Sequence, residues 1–293
     1  MRVFLAVLLA FFLVGCESKK DEKLVISCNS WIGYSPLYYA NEMGWLDKLN
    51  IKLINVVSLS ESKGLYNVGK SDAFTGTQYE YSLVKREDKT LFPLILLDRS
   101  FGGDMIFSNK SIEQLQNSQS KIDAYLEIDS VNNLLLHYFI KKYNIDKTRI
   151  NYINKDQAVI ANLREKDLSS KNVLIVTYSP YDRKLKANGF KEVACTKNGV
   201  TLVVVDALYA NKKTFQVHKQ QFIALKKAID DAIDVLHKDP KKYYNVVQPY
   251  LRGYTYEDYE ASLNEVKWIN KKVSKELVSK LDSIEFPIKN IIR

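Results

Sequence analysis

The feature that most restricts how this chain can fold is an alternation of short apolar stretches with amphipathic ones, which runs through most of the sequence and restarts once. Leu24–Ser27 is a short apolar strand, Pro36–Leu46 reads as a helix ending near Gly44, and Ile51–Val57 alternates apolar and polar like a strand. Ser60 is placed to cap a helix through Val68, Asp72–Thr75 is a short strand after a turn at Gly69, and Gln78–Arg86 is a further helix. Leu94–Leu97 is wholly apolar, as in a strand covered on both faces. From about residue 103 the rhythm restarts, with strands expected at 104–108, 121–126, 149–153 and 173–177 and helices at 111–117, 130–143, 155–164 and 180–188. A short strand is expected around Cys195 and a long one over 201–209, followed by helical stretches at 216–238, 240–250 and 255–266. In the first of these Leu225, Ile229, Ala232 and Leu236 share one face, and Pro240 ends it. Such alternation predicts α/β architecture with parallel sheets, and two series of it predict two lobes with a cleft between them. No repeat of 20–50 residues is present, which excludes a solenoid.

The chain has 293 residues, 46% of them hydrophobic and 26% charged, a globular composition able to bury a core. Its first residues stand apart. Arg2 precedes an uncharged, mostly apolar run, Val3 to Val14, and then Gly15-Cys16. A membrane-spanning helix needs about 20 apolar residues, so this run is too short to span and reads as a secretory signal. Leu13-Val14-Gly15-Cys16 matches a bacterial lipobox, in which the cysteine is lipidated (for example by palmitate) and becomes the new N-terminus; the alternative is an ordinary signal with a chance cysteine. Residues 1–15 are therefore expected to be a signal peptide, and 16–23 a lipidated cysteine and polar tether. The expected product is an exported lipoprotein on a bacterial membrane, facing the periplasm or the cell exterior. The net charge of +9 then argues for a basic surface rather than nucleic-acid binding. Cys28 and Cys195 remain; they could pair in an oxidising compartment, and by default are read as two separate buried thiols.

Few catalytic patterns survive scrutiny. Gly64-Leu65-Tyr66-Asn67-Val68-Gly69-Lys70-Ser71 fits a phosphate-binding loop letter for letter. That chemistry needs a strand before the first glycine and a helix after the serine, and here the order is inverted, so Gly69 reads as a helix C-cap. His137, His218 and His237 stand alone, without metal-ligand spacing, and no metal site or cofactor is expected. Glu80 and Asp104 could form an acid/base pair, but carboxylates also bind ligands, and nothing selects hydrolysis.

Trp31-Ile32-Gly33-Tyr34-Ser35-Pro36-Leu37-Tyr38-Tyr39-Ala40-Asn41-Glu42-Met43-Gly44-Trp45-Leu46 resembles the opening of the nitrate/sulfonate/taurine and thiamine-pyrimidine substrate-binding proteins (NMT1/THI5-like), the solute receptors of ABC importers. Later stretches look similar in the same order: Gly69-Lys70-Ser71-Asp72-Ala73, Gly102-Gly103-Asp104, Tyr178-Ser179-Pro180-Tyr181, Val205-Asp206-Ala207-Leu208 and Asp239-Pro240. The resemblance spans roughly residues 24–270. It implies a two-lobed flytrap of the type II periplasmic-binding kind, with lobe one at 24–100 plus 202–293, lobe two at 101–201, and hinge crossings near 99–103 and 199–204.

Within that fold, strand-to-helix joins face the cleft and carry the candidate contacts. Trp31, Tyr34 and Tyr38 open the first helix and offer rings to a flat or apolar ligand. Thr75, Thr77, Tyr79 and Glu80 surround the next join, and Gly102, Gly103 and Asp104 the hinge, where glycine permits close backbone approach. Asp129, Ser130 and Asn132 open a helix in lobe two, and Tyr178 and Tyr181 complete that side. The expected ligand is a planar nitrogenous compound such as a pyrimidine, since no cage of Arg and Ser for an oxyanion is evident. The expected partner is an ABC permease in the membrane, with the protein itself a monomer. A ligand-sensing lipoprotein that signals to a membrane kinase or cyclase would use the same flytrap, and the sequence leaves both open. The pyrimidine synthases of the same fold carry an iron-binding cysteine cluster that is absent here, so no enzyme is expected.

Overall fold

The computed structural model describes residues 22–292. The expected signal peptide 1–15, the lipidation site Cys16 and the tether up to residue 21 lie outside the described residues. Two sheets dominate. The first is built from β1 (Leu24–Asn29), β2 (Ile51–Val56), β3 (Ala73–Thr77), β4 (Leu91–Ser100), β10 (Val205–Asn211) and β11 (Val266–Trp268), in the order β11-β4-β10-β3-β1-β2. The second holds β5 (Asp104–Ser108), β6 (Ile122–Leu126), β7 (Ile150–Asn154), β8 (Asn172–Tyr178) and β9 (Lys191–Cys195), in the order β7-β6-β8-β5-β9. Helices cover both, giving two α/β lobes.

The sheets are mixed, not parallel as the alternation suggested. β1 runs parallel to β2 and β3, and β6 parallel to β7 and β8. β10 is antiparallel to β3 and β4, and β5 antiparallel to β8 and β9. The reason lies in the two chain crossings. β4 leaves the first sheet at the end that faces the second, so β5 enters its sheet from that side and runs against strands that finish there. β10 returns the same way. The crossings lie side by side: Ser100 N–H donates to Val204 O at 3.0 Å, and Gly102 N–H to Thr196 Oγ1 at 2.9 Å.

Local chemistry moves several boundaries. The first helix is two pieces, Ser35–Glu42 and Trp45–Lys48, because Gly44 takes a left-handed φ of 68° between them. Ser58 rather than Ser60 caps the next helix, Leu59–Asn67, accepting from Glu61 N–H at 3.0 Å. Inside the phosphate-loop look-alike, Lys70 N–H and Ser71 N–H turn back onto Leu65 O at 2.8 and 3.3 Å, and strand β3 follows. The segment is a helix end, and its amides are committed. The expected helix at 155–164 is reduced to Gln157–Ile160, and β10 starts at Val205 because 201–204 belong to the crossing. The expected helix at 255–266 stops at Ser262, and Val266–Trp268 instead adds the edge strand β11 beside β4. A capped helix, Lys275–Ser283, follows.

In the larger lobe the long helix Lys212–Lys238 buries Leu225, Ile229, Ala232 and Leu236 in one core. Tyrosines fill much of it: Tyr39 stacks on Tyr243 at 4.7 Å, and Tyr38 on Tyr250 at 4.1 Å. Cys28 and Cys195 are buried and free, one in each sheet. The smaller lobe closes around Leu135, Leu136 and Phe139 against Ile122, Leu126 and Val176. Phe139 is fully buried there. Phe139→Ala should therefore cost about 3–5 kcal/mol and lower the thermal midpoint by roughly 6 °C or more, read by circular dichroism; an unchanged midpoint would contradict this packing.

Candidate ligand cleft between the two sheets

Most of the strand ends face one another across the gap between lobes: Asn29, Thr77 and Ser100 from the first sheet, Leu126 and Tyr178 from the second. Immediately after β1 the chain makes a tight turn, Ile32–Tyr34, with Trp31 before it. That turn sends two aromatic side chains toward the gap. The Trp31 ring crosses to lobe two, where a Cβ on Gly103 would lie 2.4 Å from the indole. Gly103 is thus required by the ring that lies over it. The same ring meets Tyr178 edge-on at 6.1 Å.

Behind the rings lie carboxylates. Trp31 Nε1–H donates to Asp98 Oδ1 at 3.1 Å, and the Tyr34 hydroxyl donates to Asp206 Oδ1. Asp98 and Asp206 are register partners on β4 and β10, an unfavourable arrangement for two like charges. Burial pushes the Asp98 carboxyl up to about 8 despite the Trp31 bond, with Asp104 adding to the rise. Asp206 is raised well above the carboxylate range by burial and by Asp98. Asp104, at the start of β5, accepts no charge partner and is pushed up to about 7 by burial, in spite of Ser100. Glu127, after β6, rises to about 8 through burial and the neighbouring charge of Glu80.

Glu80 couples the lobes. One carboxylate oxygen accepts from Thr77 N–H and Thr77 Oγ1–H, at 2.8 and 2.5 Å, as part of a capping box. The other accepts from Val131 N–H at 2.9 Å, at the start of a lobe-two helix. Further bonds tie the lobes: Ile32 N–H to Ser179 O at 3.3 Å, Asn29 Nδ2–H to Tyr178 Oη at 3.1 Å, and Ser179 Oγ–H to Glu265 Oε2 at 2.8 Å. The cleft is closed. A cavity lined by Trp31, Leu59, Thr77, Asp104, Tyr178 and Asp206 has about 200 Å³ of empty space. Around it, polar atoms stand without a partner: Asp98 Oδ2, Glu127 Oε2, Asn29 Oδ1 and Asn132 Oδ1.

The candidate residues from the sequence divide accordingly. Trp31, Thr77, Asp104 and Tyr178 line the cavity, with Tyr34, Glu80 and Gly103 directly behind it. Tyr181 lies edge-on to Tyr178 at 5.5 Å, and its hydroxyl donates across the gap to Val57 O at 3.2 Å. Ser130 caps the helix Val131–Lys142 by accepting from Asn132 N–H, and Asn132 reaches Val176 O at 3.5 Å. Gly102 shapes the crossing with a φ of 123°. Others sit apart. Tyr38 is in the lobe-one core, its hydroxyl on Asn29 O at 2.7 Å; Thr75 is buried within β3; Tyr79 is half-buried; and Asp129, exposed, lines a second groove between the lobes with Ser58 and Glu127.

Asp98, Asp206, Glu127, Asn29 and Leu59 were not among those candidates. The signal for the two aspartates is present in the letters: each is a carboxylate at the end of a run, Leu94–Leu97 or 202–205, that is otherwise wholly apolar. A larger open groove, about 1110 Å³ of empty space, lies on the outer side of lobe one between Tyr66, Asp88 and Lys213, with none of the cleft residues in it. Among the described residues no group of three or more His, Cys, Asp or Glu is placed to hold a metal ion. No helix among them is long and apolar enough to cross a membrane.

Two mixed sheets joined by paired crossings, with a closed cleft at the strand ends, define the periplasmic-binding-protein fold. The family model described as NMT1/THI5 like matches residues 31–243, and the chain belongs to that family. Solved structures agree on the fold. The ligand-binding component of an ABC-type import system from Staphylococcus aureus, with zinc bound, is similar at 11% identity over 89% of this chain and 91% of that one, TM-score 0.69. The alkanesulfonate-binding protein SsuA from Xanthomonas axonopodis pv. citri, bound to MOPS, is similar at 12% identity over 92% and 95%, TM-score 0.67. A Candida albicans gene product described as having the generic periplasmic binding protein fold is similar at 10% identity over 90% and 89%, TM-score 0.68. No curated protein sequence matches this chain.

The raised Asp98 carboxyl has a consequence for stability. The folded chain holds that proton up to about pH 8, whereas the unfolded chain releases it near 4. The folded form is therefore favoured in acid and loses stability as pH rises through that window. Asp98→Asn removes the penalty, so it should raise the thermal midpoint at pH 8 by on the order of 2 kcal/mol, or about 4–8 °C, and change it little at pH 4. A lower midpoint at pH 8 would show that the charge is compensated.

Proposed function

We propose that this chain is the extracytoplasmic solute-binding component of an ABC importer, which closes its two lobes on a small molecule and presents it to the permease. The observation that carries this reading is a cavity walled by both lobes, with Trp31, Thr77 and Asp206 from one and Asp104 and Tyr178 from the other; a second groove between the lobes, lined by Ser58, Glu127 and Asp156, lies beside Glu127. A ligand held there touches both walls and stabilises closure through its differential contacts with the closed form. The two adjacent crossings, near 99–103 and 199–204, form the hinge, with 24–100 plus 202–293 as one lobe and 101–201 as the other. Lipid on Cys16 holds the monomer at the membrane. The relatives of this fold named as ABC-type binding proteins support the role, and the aromatic pair Trp31 and Tyr178 supports a ligand with a flat, partly apolar, nitrogenous body.

Thermal unfolding against a panel of pyrimidines, thiamine, amines, amino acids, nitrate and sulfonates tests this. A ligand at 100 times its dissociation constant should stabilise by about 2.7 kcal/mol, and the shift should vanish in Trp31→Ala. A panel that produces no shift in the wild-type chain would contradict a solute-binding role for this cleft.

A further inference from the structure

The cleft has a strong charge character that the fold does not require. Asp98, Asp104, Asp206, Glu80 and Glu127 are all buried within it, at 4% exposure or less. Among the described residues, no Lys, Arg or His forms an ion pair with any of the five. This is so in a chain whose net charge is +9. Basic groups stand at the rim of the gap: Lys155 shares a groove with Ser58 and Glu127, and two others are turned to other partners. Arg252 is exposed and reaches Ser30 Oγ and the face of Tyr181, and Lys63 reaches Asp129 O. Arg99, next to Asp98, pairs with Glu276 instead.

The unpartnered atoms point the same way. Asp98 Oδ2 and Glu127 Oε2 have no donor, although the other oxygen of each is held by a residue of the cavity wall, Trp31 for Asp98 and Tyr178 for Glu127. Asn29 Oδ1 is likewise unpartnered beside Tyr178. Once these carboxyls ionise, the unmet demand of the cleft is for hydrogen-bond donors and positive charge. Ionised carboxylates buried without counter-charge are strongly unfavourable, and a cation with N–H donors offsets that cost. An anion placed among them adds to it. The ring faces of Trp31 and Tyr178 are the natural lining for a cationic head group.

Resting on the solute-binding reading above, we infer that the cleft is selective for a small organic cation, an amine, amidine or cationic nitrogen heterocycle, bound by Asp98, Asp206, Asp104 and Glu127 with Trp31 and Tyr178 against its body. Capture is then proton-linked. Near neutral pH, protons on these carboxyls are released when the cation arrives, so affinity rises with pH between about 6 and 8. The groups that face this cluster are Glu80 from the helix Gln78–Glu87, Asp156 beside Glu127, Cys28 from β1, the Tyr34, Tyr178 and Tyr209 hydroxyls, and Glu265 beside Ser179. Among the described residues, the one positive charge that acts on any of these groups is Lys186, near Glu265, and it pairs with Asp182.

The test is calorimetric titration of the full purified protein with putrescine, agmatine, choline and thiamine on one side, and methanesulfonate, nitrate and uracil on the other. At least one cation is expected to bind. Its heat should depend on the buffer at pH 7, reporting proton release, and its affinity should rise about tenfold per pH unit for each proton released. Asp98→Asn should weaken the binding tenfold or more while its own thermal midpoint stays at or above the parent's, which separates loss of recognition from loss of fold. Binding of methanesulfonate, nitrate or uracil with no response to any cation would overturn the charge assignment and leave the solute-binding role standing. Silence toward every probe would overturn both.

Discussion

Two aspartates that face each other across adjacent strands, out of reach of water, set the terms for the rest of this protein. Asp98 and Asp206 occupy the same rung of β4 and β10, and each has one donor from the first turn after β1: the Trp31 indole for one, the Tyr34 hydroxyl for the other. Two hydrogen bonds do not neutralise two buried charges, and the carboxyls retain protons far above their ordinary range. The arrangement persists because the sheet around it is apolar and well paired. It concentrates, in the cavity between the lobes, a demand for positive charge that no ion pair among the described residues meets.

Topology brings the rest to that place. The two crossings make β10 and β5 run against their neighbours, and this aligns the ends of β1, β3, β4 and β8 on the gap between lobes. Closure then depends on a few directional contacts. Gly103 leaves room for the Trp31 ring, and Glu80 accepts from both lobes through Thr77 and Val131. Because the Glu80 carboxylate caps one helix and accepts from the first amide of another, opening the cleft strips one of its three hydrogen bonds, the one from Val131. A cationic ligand and Glu80 therefore act on the same equilibrium.

Much of the architecture was legible in the letters. The restart of the rhythm near 103 marks the passage into the second sheet, strand 104–108 lies where the apolar run placed it, and the long amphipathic helix shows its buried face by spacing alone. Strand direction was not legible, since an apolar run reads the same whichever way it enters a sheet. The edge strand β11 was hidden inside a helical pattern because its pairing partner, β4, is remote in sequence. At the cleft, Trp31, Thr77, Asp104 and Tyr178 follow from their positions at strand ends. Asp98 and Asp206 escaped because a terminal carboxylate in an apolar strand looks like the start of a loop. Only the register that sets them side by side gives them their role.

The central claim is that buried carboxylates hold the lobes in balance, favouring closure when protonated and opposing it when charged. Small-angle X-ray scattering of the ligand-free protein at pH 5.5 and pH 8.5, at constant ionic strength, addresses it directly. The expected result is a compact particle at pH 5.5 and a larger radius of gyration at pH 8.5, as ionised carboxylates seek water and the lobes part. The same radius at both values, with the fold intact by circular dichroism, would contradict the claim.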